Sequence, residues 1–138
     1  ELPKALANYV PYKIVGKTMY ISGQAPVQNG ELIYKGKVGS DVTVEDGIKA
    51  ARLCVTNIIA AVKTGLEGDW DKLDSFVKLT GFVNCQDDFT DQPKIINGAS
   101  DMLVEIFGDQ GRHARVAVGS NALPLGISVE IDAIIQLK

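Results

Sequence analysis

Residues 127–137 of this chain read ISVEIDAIIQL, and the alternation in this segment decides the fold. Apolar residues occupy every odd position from Ile127 to Leu137, whereas Ser128, Glu130 and Asp132 stand between them. Successive side chains of a β-strand point to opposite faces of a sheet. The segment therefore predicts a strand with one face in a core, which other elements of the chain must cover.

A long helix is predicted before this strand. Thr43 and Asp46 resemble a helix-capping pair, and apolar residues then recur at steps of three or four over residues 44–62. A basic last turn and Gly65 favour an end near residues 63–65. This amphipathic helix is a suitable cover for the sheet.

A second helix is predicted from Asp91 and Pro93, which resemble a helix start, to Gly108, with an apolar period of 3.6 residues between them. Asn97 and Gly98 both have poor helix propensity, so we expect either a kink or a ligand contact there.

The remaining apolar runs predict strands. Tyr12–Val15 and Thr18–Ser22 are joined by Gly16-Lys17 as a tight hairpin, and Gln24–Ile33 predicts an irregular second hairpin. Phe76–Val83 and Arg115–Gly119 complete the set. The order is β-β-(β)-α-β-α-β-β, which predicts one α/β (α+β) domain over residues 1–138, with two helices on one face of a mixed sheet.

The opposite face of this sheet is predicted to be partly apolar. Its parity holds Phe76, Phe82, Ala117 and Ile134, and such a face favours burial by association. The chain is therefore expected to form an oligomer.

Composition excludes several classes of protein. A net charge of −3 gives no basic stripe for nucleic acid, and no apolar run is long enough to cross a bilayer. One histidine and two cysteines do not supply a Cys/His zinc site, and both Cys54 and Cys85 are expected to be core residues. Residues 1–10 lack the features of a secretory signal, so a cytoplasmic location is expected.

Arg115 and Glu130 are the candidates for chemistry. Arg115 is either a solvent-facing strand arginine or a clamp, whose planar guanidinium binds a carboxylate through two parallel hydrogen bonds. The small residues Ala117 and Gly119, at the same parity, would leave space beside it. Glu130 is either a sheet-surface carboxylate or a general acid/base whose pKa is raised by burial against another subunit. His113 is interpreted as a loop histidine without a catalytic role.

Several segments of the chain resemble motifs of the reactive-intermediate deaminase (Rid, or YjgF-type) family. The C-terminal segments are HARVAVG at residues 113–119, Leu123-Pro124 and ISVEIDAI at residues 127–134. The upstream segments are NYV at residues 8–10, MYISGQAPV at residues 19–27, FVN at residues 82–84 and Asp88-Phe89.

The resemblance implies a chorismate-mutase-like fold of the bacillary type, a homotrimer and ligand clefts between subunits. It also implies a 2-iminobutanoate/2-iminopropanoate deaminase-like hydrolase, which converts 2-imino acids and their enamine tautomers to 2-oxo acids and ammonia without a cofactor or metal. Arg115 would clamp the substrate carboxylate, and Glu130 would position or activate the attacking water. The substrate-binding positions would be Tyr9, Ser22, Gly23, Asn97, Arg115 and Ala117.

The chain departs from the family pattern at two positions near the arginine. Ala117 stands where cysteine is common, and His113 stands where proline is usual. A trimer that binds small carboxylates or a protein partner without catalysis is therefore the alternative function. Ribonuclease activity fits the acidic composition and the single histidine poorly.

Overall fold

The computed structural model describes residues 7–138. The first hairpin consists of β1 (Tyr12–Val15) and β2 (Thr18–Gln24), and the second of β3 (Val27–Gln28) and β4 (Glu31–Leu32). In the second hairpin, Asn29 and Gly30 have φ values of 53° and 80°, as a tight two-residue turn requires. Both predicted hairpins are confirmed.

Two helices alternate with the remaining strands. They are α1 (Val44–Gly65) and α2 (Gln92–Phe107), and the strands are β5 (Leu73–Asn84), β6 (Ala114–Ser120) and β7 (Val129–Leu137). The side chain of Thr43 accepts a hydrogen bond of 3.1 Å from the backbone N–H of Asp46, as the capping pattern predicts. The predicted element order is confirmed.

The main sheet has five strands in the order β1-β2-β7-β5-β6. β5 and β6 are parallel, and the other neighbouring pairs are antiparallel. β7 occupies the centre, and its alternation corresponds to one covered face: Val129, Ile131, Ala133 and Ile135 are buried. The sheet is mixed, as predicted.

Both helices lie on one face of this sheet and enclose the core with it. Gly98 of α2 permits the helices to approach closely, because an added Cβ would lie 2.5 Å from the backbone oxygen of Ile48 in α1. Gly81 of β5 permits α2 to approach the sheet, because a Cβ there would lie 2.6 Å from Ile96. Cys54 and Cys85 are buried and unpaired, as expected for core residues.

Two residues predicted on the opposite face lie on the helix face instead. Phe76 is buried, and its ring centroid lies 4.9 Å from that of Phe107. The register of β5 against β7 shifts between Phe76 and Lys78, so the extra residue Val77 reverses the parity assumed from the sequence. Ala117 is level with the inward-facing Gly81 and packs against the core. Phe82 and Ile134 do lie on the opposite face, level with Glu130 and Lys78.

Candidate functional site

Arg115 lies on β6 and extends over the N-terminal half of α2. Its Nη1 donates to Asn97 Oδ1 at 2.8 Å and to Ser100 Oγ at 3.2 Å, and its Nη2 donates to the backbone oxygen of Pro93 at 3.4 Å. These acceptors share one face of α2, because residues three and four apart are neighbours on a helix. The structure thus brings together Arg115 and Asn97, and neither the predicted kink nor a ligand is needed to explain residues 97 and 98.

The guanidinium of Arg115 retains donors for a ligand. The group has five N–H donors, and the hydrogen bonds to α2 use both donors of Nη1 and one of Nη2. The N–H of Nε and the second N–H of Nη2 remain. Over residues 7–138, no carboxylate lies within ion-pair distance of Arg115. Two remaining donors, together with a charge that no carboxylate of residues 7–138 neutralises, can bind a carboxylate.

A cleft of about 260 Å³ opens beside Arg115. Its other lining residues are Ser100, Val104, Arg112 and His113. Arg112 contacts Asp109 at 3.3 Å and is largely exposed. The cleft is therefore basic and polar, with one apolar wall, and can accept a small organic anion.

Gly119 does not leave the space that the sequence analysis expects. An added Cβ there would lie 2.8 Å from Gln92 Nε2 and 3.0 Å from Cys85 Sγ. Gln92 itself donates to the backbone oxygen of Phe89 at 2.8 Å. The region beside Gly119 is filled by the start of α2. Ala117 has only its methyl group on this side, and its role in binding stays a prediction.

His113 lies in the loop directly before β6, as interpreted from the sequence, and both of its ring nitrogens have partners. Its Nε2 lies 2.8 Å from Ser100 Oγ, and its Nδ1 lies 2.6 Å from the backbone oxygen of Gly111. His113 directly precedes β6 and is two residues before Arg115, and alternate residues of an extended segment point to the same side. That spacing was the available signal for placing His113 in the cleft, whereas Ser100 carried no comparable signal.

Glu130 lies on the face of the sheet opposite the helices. Its carboxyl carbon and Oε2 would each lie 3.0 Å from a Cβ added to Gly23, so the absence of a side chain at residue 23 makes room for Glu130. Partial burial, and secondarily the neighbouring Asp132, raise the pKa of Glu130. A carboxyl group of this kind can exchange a proton nearer neutral pH than an exposed one.

Asp132 lies on the same face and differs in its surroundings. Burial raises the pKa of Asp132, while a hydrogen bond from Thr80 and the charge of Lys78 oppose that effect. This face of the sheet therefore carries two neighbouring carboxyl groups with elevated pKa values. Arg115 and Glu130 are on opposite faces of the sheet, and β5 separates their strands.

Ser22 and Tyr9 belong to the same end of the molecule as Gly23. Ser22 Oγ donates to the backbone oxygen of Val10 at 2.6 Å. The backbone N–H of Ser22 donates to the backbone oxygen of Pro11 at 2.9 Å. The pairing of β2 with β7 shifts between Ile21 and Gln24, so Ser22 and Gly23 form a bulge. Tyr9 is 47% exposed. The bulge thus unites Ser22 and Gly23 with Glu130, and it fixes the segment that carries Tyr9.

Lys37 lies in the segment between β4 and α1, and its ammonium group is hydrogen-bonded within the protein. Lys37 Nζ donates to Asn84 Oδ1 at 3.1 Å and to the backbone oxygens of Cys85 and Asn121. Protein oxygens therefore surround this ammonium group. The lysine ties three loops together at the end of β5.

The described part of the chain shows neither a cluster for a metal ion nor a helix that could cross a membrane. From residue 7 to residue 138, no cluster of three or more histidine, cysteine, aspartate or glutamate side chains could hold a metal ion. In the same residues, no helix is sufficiently long and apolar to span a membrane.

Comparisons with known proteins identify the family. A model of the family "YjgF/chorismate_mutase-like, putative endoribonuclease" matches residues 1–135. Protein TCP17 of Trypanosoma cruzi is 41% identical over 142 residues, which span 100% of this chain and 88% of that protein. The crystal structure of Atu1372 from Agrobacterium tumefaciens is 47% identical, with a TM-score of 0.94 over 99% of this chain and 86% of the other.

A more distant structure has the same fold. The YjgF gene product of Escherichia coli is 26% identical and has a TM-score of 0.68, over 98% of this chain and 92% of that one. The family match extends over nearly all of this sequence, and the two helices on a mixed sheet agree with it. The chain therefore belongs to the YjgF/chorismate-mutase-like family.

Proposed function

We propose that this protein hydrolyses 2-imino acids and their enamine tautomers to 2-oxo acids and ammonia. The observation that carries the proposal is the state of Arg115, which has two remaining N–H donors, no carboxylate partner among residues 7–138, and a place beside a cleft of small-molecule size. A 2-imino acid carries a carboxylate next to an electrophilic C=N carbon. Binding the carboxylate therefore also positions the reacting carbon.

Glu130 supplies the second half of the proposed chemistry. The raised pKa of Glu130 and its position against Gly23 support a role in which its carboxyl group positions water and accepts a proton from it. Water adds to the C=N carbon, and the nitrogen gains a proton to give a carbinolamine. The carbinolamine then loses ammonia and forms the C=O bond of the product. An imine is electrophilic already, so this reaction requires no cofactor.

The two halves of the site come from two copies of the chain in this proposal. Within one chain, Arg115 faces the helix layer and Glu130 faces away from it, so they cannot act on one small ligand. The face that carries Glu130 also exposes apolar side chains, including Val116 and Val118, each 40% exposed. We propose a homotrimer with ligand clefts between neighbouring copies, lined also by Tyr9, Ser22 and Gly23.

The test is direct. An amino-acid oxidase generates the imine, semicarbazide traps it, and hydrolysis by this protein reduces the trapped fraction and releases 2-oxo acid. Glu130→Gln is the matched variant, because it keeps the shape of the side chain and cannot exchange the proton. We expect a reduced semicarbazone yield with the unmodified protein and a much smaller effect with the variant. An unchanged yield for imines of several amino acids would contradict the proposal.

Binding without catalysis is the second candidate function. It is favoured by Ala117, whose methyl group adds no chemistry beside Arg115 and packs against the core. Calorimetry with 2-oxo acids separates the two: binding without any turnover supports a binder, and turnover excludes it. The family description also names an endoribonuclease. RNA cleavage that disappears in Arg115→Ala would support that activity instead.

A further inference from the structure

The hydrogen bonds around His113 determine which of its nitrogens carries a proton. A carbonyl oxygen only accepts hydrogen bonds, so the contact of 2.6 Å with Gly111 requires a proton on Nδ1. In the neutral ring, Nε2 is then an acceptor, and Ser100 donates its hydroxyl proton to it across 2.8 Å. The ring is thereby fixed in one tautomer and one orientation.

Arg115 completes a chain of directed hydrogen bonds. Its Nη1 donates to the same Ser100 Oγ that donates to His113. A hydroxyl oxygen has two lone pairs, of which Arg115 uses one. The other remains available, and Ser100 lines the cleft beside Arg115. A hydroxyl bonded to a base, with the base oriented by a third group, is an arrangement suited to proton transfer.

We propose that Ser100 and His113 form a proton relay that acts on the ligand bound by Arg115. This proposal rests on the proposed function and assigns to the relay the second half of the reaction. Ser100 touches the ligand and is a catalytic residue, whereas His113 acts through Ser100. Within the chain that carries Arg115, none of the residues that line the cleft is acidic, so no carboxylate of that chain competes for the relayed proton.

The relay moves one proton from the hydroxyl group of the carbinolamine to its nitrogen as the carbinolamine breaks down. The carbinolamine hydroxyl gives its proton to Ser100 Oγ as the Ser100 proton passes to His113 Nε2. The C=O bond forms, the C–N bond breaks, and the proton returns through Ser100 to the departing nitrogen. The products are the 2-oxo acid and ammonia, and Ser100 and His113 regain their starting state. Glu130 would serve the preceding addition of water.

The experiment compares His113→Ala, Ser100→Ala and the control Ser40→Ala. Ser40 is exposed, and among residues 7–138 its hydroxyl contacts only the backbone of Lys37. We expect kcat for imine hydrolysis to fall at least tenfold in both cleft variants, because positioned proton transfer contributes about 100-fold or more. KM should change less than twofold, since Arg115 still binds the carboxylate. Ser40→Ala should match the unmodified protein.

Chemical rescue distinguishes a relay from a structural role. Added imidazole should restore at least a fifth of kcat in His113→Ala and nothing in Ser100→Ala. His113→Gln is the second variant if His113→Ala does not fold: its amide can accept the bond from Ser100 but cannot carry a proton, so kcat should fall similarly. Unchanged kcat in a folded His113 variant, or a loss that appears only in KM, overturns the relay.

Nitrogen NMR tests the tautomer without any turnover. The chain has one histidine, so its ring nitrogens give one set of signals. We expect a protonated Nδ1 and an unprotonated Nε2 in the neutral ring, and the opposite tautomer would overturn the relay. If the unmodified protein does not hydrolyse imines, the proposed function fails and the relay with it. If it does and the His113 variants match it, the relay alone fails.

Discussion

The guanidinium of Arg115 divides its donors between the protein and the cleft. Three N–H groups bind α2 and fix the plane of the group, and two remain for a ligand. Because the Arg115 side chain is already ordered, less conformational entropy is lost when a ligand binds. The same bonds also mean that Arg115 contributes to the packing of β6 against α2.

Arg115→Lys keeps the charge and removes the planar fork. We expect 2-oxo acid binding, or imine turnover, to fall at least tenfold, which corresponds to about 1.4 kcal/mol. An ammonium group can still donate to the acceptors on α2, so the melting temperature should fall by less than about 5 °C. Calorimetry and thermal melting check both parts. Arg52→Lys, an exposed arginine of α1, is the control, and unchanged binding in Arg115→Lys would remove the residue from the site.

Glu130→Gln should increase stability at neutral pH. Because burial raises the pKa of Glu130, the folded state holds the proton more tightly than the unfolded state. Stability from this group is therefore complete below the ordinary glutamate pKa and decreases as pH rises through the raised value. We expect Glu130→Gln to gain about 0.5 kcal/mol at pH 7, a small figure because water screens a half-buried carboxyl. Urea unfolding across pH should show the gain vanish in acid.

Charged residues in apolar strands indicated the candidate site from the sequence, and in helix α2 the sequence indicated Asn97 but not Ser100. Arg115 and Glu130 were identifiable because a charged side chain in an apolar strand is unusual. Ser100 was missed because a serine in an amphipathic helix is ordinary, and only the crossing of α2 over β6 brings it to the arginine. The contact between Gly23 and Glu130 depends on the bulge in β2, which the local sequence pattern does not predict.

Helix α2 is held in place by contacts that a poor helix former makes possible. Gly98 lowers the intrinsic stability of the helix, because glycine is a poor helix former. Its lack of a side chain, however, allows its backbone to lie against Ile48 of α1. The obstructing atom is a backbone oxygen, which cannot rotate away. Asn97 and Ser100 reach Arg115 only while α2 keeps this position.

Gly98→Ala should destabilise the protein by about 1 to 3 kcal/mol despite the better helix propensity of alanine. The added Cβ would lie 2.5 Å from the Ile48 oxygen and force the helices apart. Denaturant unfolding measures the loss. Lys94→Ala, at an exposed position of α2, is the control and should change stability little. A neutral or stabilising effect of Gly98→Ala would contradict this prediction, because it would show that α1 and α2 can move apart at little cost in free energy.

The order of helices and strands was predictable because each has its own period or turn signal. The parity of β5 was not, because Val77 is inserted opposite no partner residue and reverses the side chains before it, as far as a second register shift between Leu73 and Ser75. Sequence alternation assigns faces only between such irregularities. Phe76 was consequently assigned to the wrong face.

The two faces of the sheet set the expected assembly. One face is covered by both helices, and the other carries Glu130, Asp132 and exposed apolar side chains of β6. A face of this composition is suited to a second copy of the chain. The number of copies depends on angles between subunits that a single chain does not encode in any local pattern.

Val116→Glu should dissociate the proposed trimer without unfolding the monomer. Val116 is 40% exposed on the edge strand, level with Thr80 and in the same row as Asp132. A new carboxylate there would be buried without a partner in the assembly and solvated in the free chain. Sedimentation should show a smaller particle with native circular dichroism. Ile106→Glu, at an exposed apolar position of α2, is the control, and an unchanged mass for Val116→Glu would contradict this interface.

The central position of β7 has a consequence for synthesis of the chain. β7 pairs with both β2 and β5, yet it leaves the ribosome after all the other strands of the sheet. Until then, the hairpin β1-β2 has no bond to the parallel pair β5-β6, and the apolar faces of α1 and α2 lack their middle support. The nascent chain should therefore remain sensitive to protease and attractive to chaperones until β7 has emerged, and fold afterwards in one cooperative step.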